Sequence, residues 1–340
     1  MKLESPARKP ILDISRFVAA LSVCVFHWYL TDFSWAELNA FVVDYFFILS
    51  GFVLQPSIFA RQSSKKWILR RIIRIWIPLI PTITLISILI SLNVQSATTI
   101  GEGNFLVSIL IALFLLQTFY PPSVALNTPL WSLSAEFITN LIVILVPKRK
   151  RPFVFLAIAG LFISIITGII IHLKFPGLGI FHSGIALGRC LTNFSIGIIL
   201  KITINRTNKI AQTSLICSMT MAACIIFPLF LMNKLFIIFA PMMLAPLLLL
   251  LDRVDLKQDS YAGKVAGKLG EASYIIYLFH IPFQSIKEYL TASSFHNIPQ
   301  LILRESLSLV FFLVLCQLFS EFIEIPIRRK LMMKLNSNRD

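Results

Sequence analysis

Arg16 and His27 stand eleven residues apart in RFVAALSVCVFH, with only apolar or small side chains between them. At about 100° per residue, eleven helical steps return to within roughly 20° of the starting direction. On a helix the two would share one face, about 16 Å apart along the axis. A guanidinium holds anions, and an imidazole trades protons near neutral pH. Two further polar stripes repeat at helical spacing: Ser132, Glu136 and Asn140 in LWSLSAEFITN, and Ser273, Tyr277 and His280 in SYIIYLFHIP. Asp44 adds an acid in VVDYFFILSGF. A proton acceptor, carboxylates to orient it and hydroxyl donors are the groups that activate a weak nucleophile for group transfer. Each also has a plainer reading. Arg16 could snorkel to an interface, and His27 could sit in an aromatic belt with Trp28 and Tyr29. Glu136 could form a structural salt bridge, and Asp44 could be a helix N-terminal charge.

These residues matter because of what surrounds them. The 340-residue chain is 57% hydrophobic and only 14% charged, with a mean hydropathy of +0.82. A soluble domain of this size cannot hide so much apolar surface, and runs such as IPLIPTITLISILISL read as membrane spans. A charge at mid-bilayer costs at least about 2.5–3.5 kcal/mol, so an ionisable residue there needs a partner or a task. The net charge of +15 does not point to nucleic acid, because the basic residues come in short blocks between apolar segments. That is the positive-inside pattern of cytoplasmic loops. Cys24, Cys190, Cys217, Cys224 and Cys316 are scattered through apolar segments and form no metal-ligand spacing, so no metal is expected. No cleavable signal peptide is expected either, since no small-residue cleavage site follows the first apolar stretch.

Eleven apolar segments lie near 11–30, 41–60, 72–92, 105–120, 130–146, 152–173, 186–202, 211–231, 234–251, 272–290 and 301–323. Basic clusters occur at the N-terminus, from Arg61 to Arg74, from Lys148 to Arg151, at Lys201, Arg206 and Lys209, and from Arg328 to Lys334. Placing all of them in the cytoplasm requires one segment between 93 and 148 not to span. Segment 105–120 is the shortest candidate, below the roughly twenty residues a perpendicular helix needs. The expectation is an all-α polytopic protein with about ten transmembrane helices, one short re-entrant or interfacial helix and both termini cytoplasmic. Residues 1–10 and 329–340 would be cytoplasmic tails flanking a single membrane domain at 11–328. Glu324 and Arg328 should pair at i, i+4. His172, His182 and His296 fall near helix ends or in loops and read as solvated or interfacial.

In order, Arg16 with His27, VDYFFILSGF, RRIIRIWIP, WSLSAE, SYIIYLFHIP and EIPIR resemble the motifs of the acyltransferase-3 family of integral membrane acyltransferases. That family includes O-antigen, exopolysaccharide and Nod-factor O-acetyltransferases. The resemblance runs from Asp13 to Arg328. It departs where Ile14, Ser15 and Phe17 replace the Gly-Leu-Arg-Gly run frequent around the arginine, and where Pro78 comes one residue late. The SGNH esterase-like domain of some members is not expected at the C-terminus.

The resemblance implies transfer of an acyl group, usually acetyl, from acyl-CoA to a hydroxyl of a cell-surface or lipid-linked polysaccharide, in the plasma membrane and with no permanently bound cofactor. Arg70, Arg71 and Arg74 would hold the phosphates of the donor, and Arg16 would bind nearer its thioester. His27 would be the general base, oriented by Asp44 or Glu136. Glu136 and His280 would contribute further, Tyr277 would donate to the developing oxyanion, and Ser132 would line the substrate site. The rival readings are an acceptor that is a lipid or small molecule, and a glycan or solute transporter with no transferase activity.

Overall fold

The computed structural model describes residues 9–29, 36–60, 62–94, 105–120, 126–174, 183–207, 209, 212–221, 240–291 and 298–337. Among them there is no strand, and the architecture is the expected all-α one. The helices are α1 (Pro10–Tyr29), α2 (Ala36–Phe59), α3 (Ser64–Ser91), α4 (Phe105–Leu113), α5 (Leu130–Leu145), α6 (Lys150–Lys174) and α7 (Ser183–Ile204). There follow α8 (212–221), then α9 (Ala240–Arg253), α10 (Tyr261–Thr291), α11 (Ile298–Phe319) and α12 (Ile325–Ser337).

Among the described residues, six helices are long and apolar enough to cross a membrane, and Leu130–Leu145 is a shorter apolar helix. Such a chain is a multi-pass membrane protein. Parts of the apolar segments 211–231 and 234–251 lie outside the described residues. So do the side chains of Cys224, His172, His182 and His296. Helix α4 has 9 residues, about 13 Å of axis, and cannot cross a hydrocarbon core of about 30 Å. The chain leaves it through Leu115, which takes a left-handed φ of 53°. A 3-10 turn, Gln117–Phe119, follows. Ser134 on α5 pins this excursion: its hydroxyl donates to the Leu115 carbonyl and accepts the Thr118 backbone N–H.

Close helix approaches position the centre. Gly51 on α2 lies against the Phe194 carbonyl of α7, and Gly197 on α7 lies against the Ile48 carbonyl of α2. Any Cβ at either position would collide with backbone, so α2 and α7 meet at main-chain distance. Ile48, Leu49 and Phe52 on this seam pack into one apolar cluster with Leu12 of α1 and Leu244 and Leu248 of α9. A second cluster joins α3, α4, α5 and α10, and a third joins α1, α10 and α11.

Two prolines shape the rest. Pro282 lies inside α10 and has no N–H for the carbonyl four residues earlier, Leu278. The Asn127 side chain, just before α5, donates to that carbonyl at 3.1 Å. Pro326 likewise offers no N–H to the Phe322 carbonyl four residues earlier, and the turn before it, Ser320–Glu324, is π-helical, closed by the Ile325 N–H to the Ser320 carbonyl. The expected Glu324–Arg328 pair forms at 2.6 Å, and Arg328 also binds Glu271 of α10.

Candidate active site

Helices α1 and α10 run side by side and in the same direction. Gly270 abuts Asp13 near one end, and the Trp28 indole donates to the His280 carbonyl at 2.9 Å near the other. Trp28 therefore faces the protein interior rather than lipid. It is buried, stacked on Phe283 at 5.6 Å between ring centroids. This pairing brings His27 and His280 together, with His27 Nδ1 3.0 Å from His280 Nε2.

Backbone carbonyls settle the tautomers, because a carbonyl only accepts. His280 Nδ1 is 2.7 Å from the Tyr277 carbonyl, so it carries a hydrogen and His280 Nε2 carries a lone pair. His27 Nδ1 is 3.0 Å from the Val23 carbonyl, so it too carries a hydrogen, shared between that carbonyl and His280 Nε2. The lone pair of His27 is left on Nε2. An imidazole held this way can take a proton on Nε2 while the resulting positive charge is stabilised through Nδ1–H.

A cavity of about 130 Å³ lies between α1, α2, α3, α5 and α10. Arg16, Arg71, Arg74 and Glu136 line it, together with Ser132, Tyr274 and Tyr277. A second cavity of about 290 Å³ adjoins it and shares Arg16, Val53 and Arg74. Lys9, Lys201, Asp252 and Glu271 lie further along this second space. Most of these charges are matched. Arg71 pairs with Glu136 at 2.7 Å, and Arg16 meets Asp13 at 3.4 Å. Asp252 binds Lys9 at 2.6 Å and Lys201 at 3.7 Å. Arg74, where the two cavities meet, makes no hydrogen bond or contact ion pair among the described residues, and Glu271 in the second cavity is the carboxylate that acts on it through space. A guanidinium lining a cavity with no carboxylate in direct contact can take an anion.

Several expected roles are rearranged by this geometry. Asp44 does not orient His27. It is fully buried and accepts from Arg189 at 2.9 Å and from Asn193 at 2.9 Å, both on α7. Glu136 is held by Arg71 rather than by an imidazole. Arg70 stands outside the cavity, bonded to Gln62 at 2.6 Å and to Asn336 of α12 at 3.0 Å. The Tyr277 hydroxyl is 2.6 Å from Ser132 Oγ, and both hydroxyls lie within hydrogen-bond reach of the Pro129 carbonyl. Two hydroxyl hydrogens serve one hydroxyl–hydroxyl contact and one carbonyl, so Tyr277 has no hydrogen to spare for an oxyanion. His27 itself does not line the cavity. Neither does His280, but Tyr277 does, and its ring lies 6.0 Å from that of His280. Reading the sequence missed Arg189 and Asn193, although GRCLTN places both, four residues apart, in an otherwise apolar span.

A family model described as an acyltransferase domain matches residues 9–321. The chain belongs to the acyltransferase-3 family. It is thus a membrane acyltransferase, and both the paired imidazoles and the cavity lie on helices inside the matched region. No curated protein and no solved structure matches the chain.

Proposed function

We propose that this acyltransferase moves an acetyl group from acetyl-CoA, reached from the cytosol, to a hydroxyl of a cell-surface or lipid-linked glycan in the plasma membrane. The observation that carries this reading is Arg74, which makes no contact ion pair or hydrogen bond among the described residues and lines two adjoining cavities, the first of which reaches Tyr277, one turn of α10 from His280. The donor is a polyanion with its reactive thioester at the end of a long arm. Arg74 takes an anionic group of that arm, Arg16 flanks it, and the thioester lies in the cavity beside Ser132 and Tyr277. The Arg71–Glu136 ion pair holds α3 against α5 and so keeps the wall of this cavity in place.

The acceptor hydroxyl approaches from the side of His27. Its oxygen attacks the thioester carbonyl as its proton passes to His27 Nε2, and the imidazolium is stabilised by His280 Nε2 and the Val23 carbonyl. Collapse of the tetrahedral intermediate breaks the carbon–sulfur bond. The thiolate of CoA leaves and takes the proton back from His27. General-base help of this kind contributes on the order of 10²–10⁴-fold. The carbohydrate acceptor is favoured by the resemblance to glycan O-acetyltransferases. A transporter could also use intramembrane Arg, His and Glu, but it would leave the donor intact and label no glycan.

The test is to incubate membranes containing the protein with acetyl-labelled acetyl-CoA, then follow label in the glycan fraction and release of free CoA thiol. The wild-type chain should do both, and inserted, folded His27→Ala should lose at least about a hundredfold in rate. Transfer by His27→Ala at the wild-type rate would remove the imidazole from the mechanism. Label in lipid or in a small molecule, with none in glycan, would change the acceptor but keep the transferase.

A further inference from the structure

The loop between α5 and α6 and the end of α7 enclose a cup of about 660 Å³ that no step above uses. Its lining is Lys148, Arg149, Lys150, Arg151, Arg206 and Val154, five cations and no carboxylate. The Lys148 ammonium is spent on the fold: it donates to the Val143 carbonyl at 2.9 Å and the Ile144 carbonyl at 2.7 Å, capping α5. Arg149, Lys150, Arg151 and Arg206 are exposed and have no ion-pair partner among the described residues. The first turn of α6, beginning at Lys150, adds the positive end of a helix to the same space.

A solvated basic loop would need no more explanation than positive-inside topology, but this cup continues into a lipid-facing wall. Val154 is exposed at its edge, and Phe155, Ile158 and Phe162 follow it along α6 at 70%, 45% and 58% exposure. Positive charge directly beside an exposed apolar stripe matches one kind of molecule in both halves. The cup also lies on the donor side of the protein, since Lys201, near the same end of α7, shares Asp252 with Lys9 at the start of α1.

We propose that this cup is a binding site for an anionic phospholipid of the cytoplasmic leaflet. The phosphate rests on Arg149, Arg151 and Arg206, and the acyl chains lie along Val154, Phe155, Ile158 and Phe162. Charge complementarity selects the headgroup, and the stripe adds apolar contacts that a purely aqueous anion cannot make. At roughly fivefold per cation near a membrane surface, neutralising three of them should weaken binding about a hundredfold.

The experiment uses the full chain in non-ionic detergent and counts bound lipid by native mass spectrometry while thermal unfolding is followed. Phosphatidylglycerol should bind at one saturable site and raise the unfolding midpoint, whereas phosphatidylcholine and inorganic phosphate at equal concentration should not. The variant Arg149→Gln/Arg151→Gln/Arg206→Gln should unfold at the wild-type midpoint without lipid and lose the phosphatidylglycerol effect. A second variant, Arg329→Gln/Lys330→Gln/Lys334→Gln, removes as many charges from the remote helix α12 and should keep it. Equal stabilisation by phosphatidylcholine, full stabilisation by inorganic phosphate, or an undiminished phosphatidylglycerol effect in the first variant would each overturn the proposal. If the first variant does not fold, Phe155→Gln/Phe162→Gln on the exposed wall replaces it, and unchanged lipid binding there would overturn the proposal as well.

Discussion

His27 Nδ1 and His280 Nε2 face each other at 3.0 Å across the α1–α10 interface, and the carbonyls of Val23 and Tyr277 fix which nitrogen of each ring carries the hydrogen. In the proposed mechanism His280 positions and supports His27 as a neutral acceptor, the place a carboxylate holds in a serine hydrolase triad. His280→Ala should lower kcat by about a hundredfold while KM for acyl-CoA stays within about twofold. His280→Gln, whose amide oxygen can accept the same N–H, should recover part of the loss. Steady-state kinetics on the two variants checks this, and an equal loss in both kcat and KM would point to a structural defect.

Arg74 is predicted to act mainly on donor binding. Removing a charged hydrogen bond costs about 1.5–3 kcal/mol, so Arg74→Ala should raise KM for acyl-CoA by roughly 10- to 100-fold, with Arg74→Lys falling between. Arg70→Ala should change KM by less than about threefold, because Arg70 binds Gln62 and Asn336 away from the cavity. Parallel titrations of acyl-CoA against the three variants separate these roles.

Tyr277→Phe distinguishes a committed hydroxyl from an oxyanion donor. Loss of an oxyanion-hole donor costs about 10²–10³ in kcat. Here Ser132 can serve the Pro129 carbonyl alone, so the expected loss is less than about tenfold. A loss of a thousandfold would place the Tyr277 hydroxyl on the substrate.

Asp44 and Arg189 form an ion pair with side-chain exposures of 0% and 2%. Breaking such a pair from one side leaves an uncompensated charge and costs about 3–5 kcal/mol. Asp44→Ala should therefore lower the unfolding midpoint sharply, and Asp44→Leu/Arg189→Met should recover most of it. If Asp44 is structural, the double variant also regains activity. A stable but inactive double variant would return Asp44 to the chemistry.

The helices, the short α4 and the face shared by Arg16 and His27 were legible because period 3.6 and hydropathy are local properties of the chain. The Glu324–Arg328 pair was legible for the same reason. Partners were not. Nothing in VVDYFFILSGF shows that Asp44 meets Arg189, a residue 145 positions away, nor that Glu136 meets Arg71 across 65. A carboxylate inside a membrane announces that it needs a cation or a proton, but which one is decided by helix packing. The imidazole pair was hidden similarly, since its two stripes looked independent until α1 and α10 were seen to run in parallel.

Pro282 deprives the Leu278 carbonyl of its helical partner, and Asn127 supplies one from the segment entering α5. The proline-interrupted turn beside His280 is thus fastened to the segment that enters α5. Any swing of the upper part of α10 that carried one imidazole away from the other would have to tear this amide from its carbonyl. The alignment of the two rings is accordingly geared to the segment that leads into Ser132, and a disturbance on either side is felt by both.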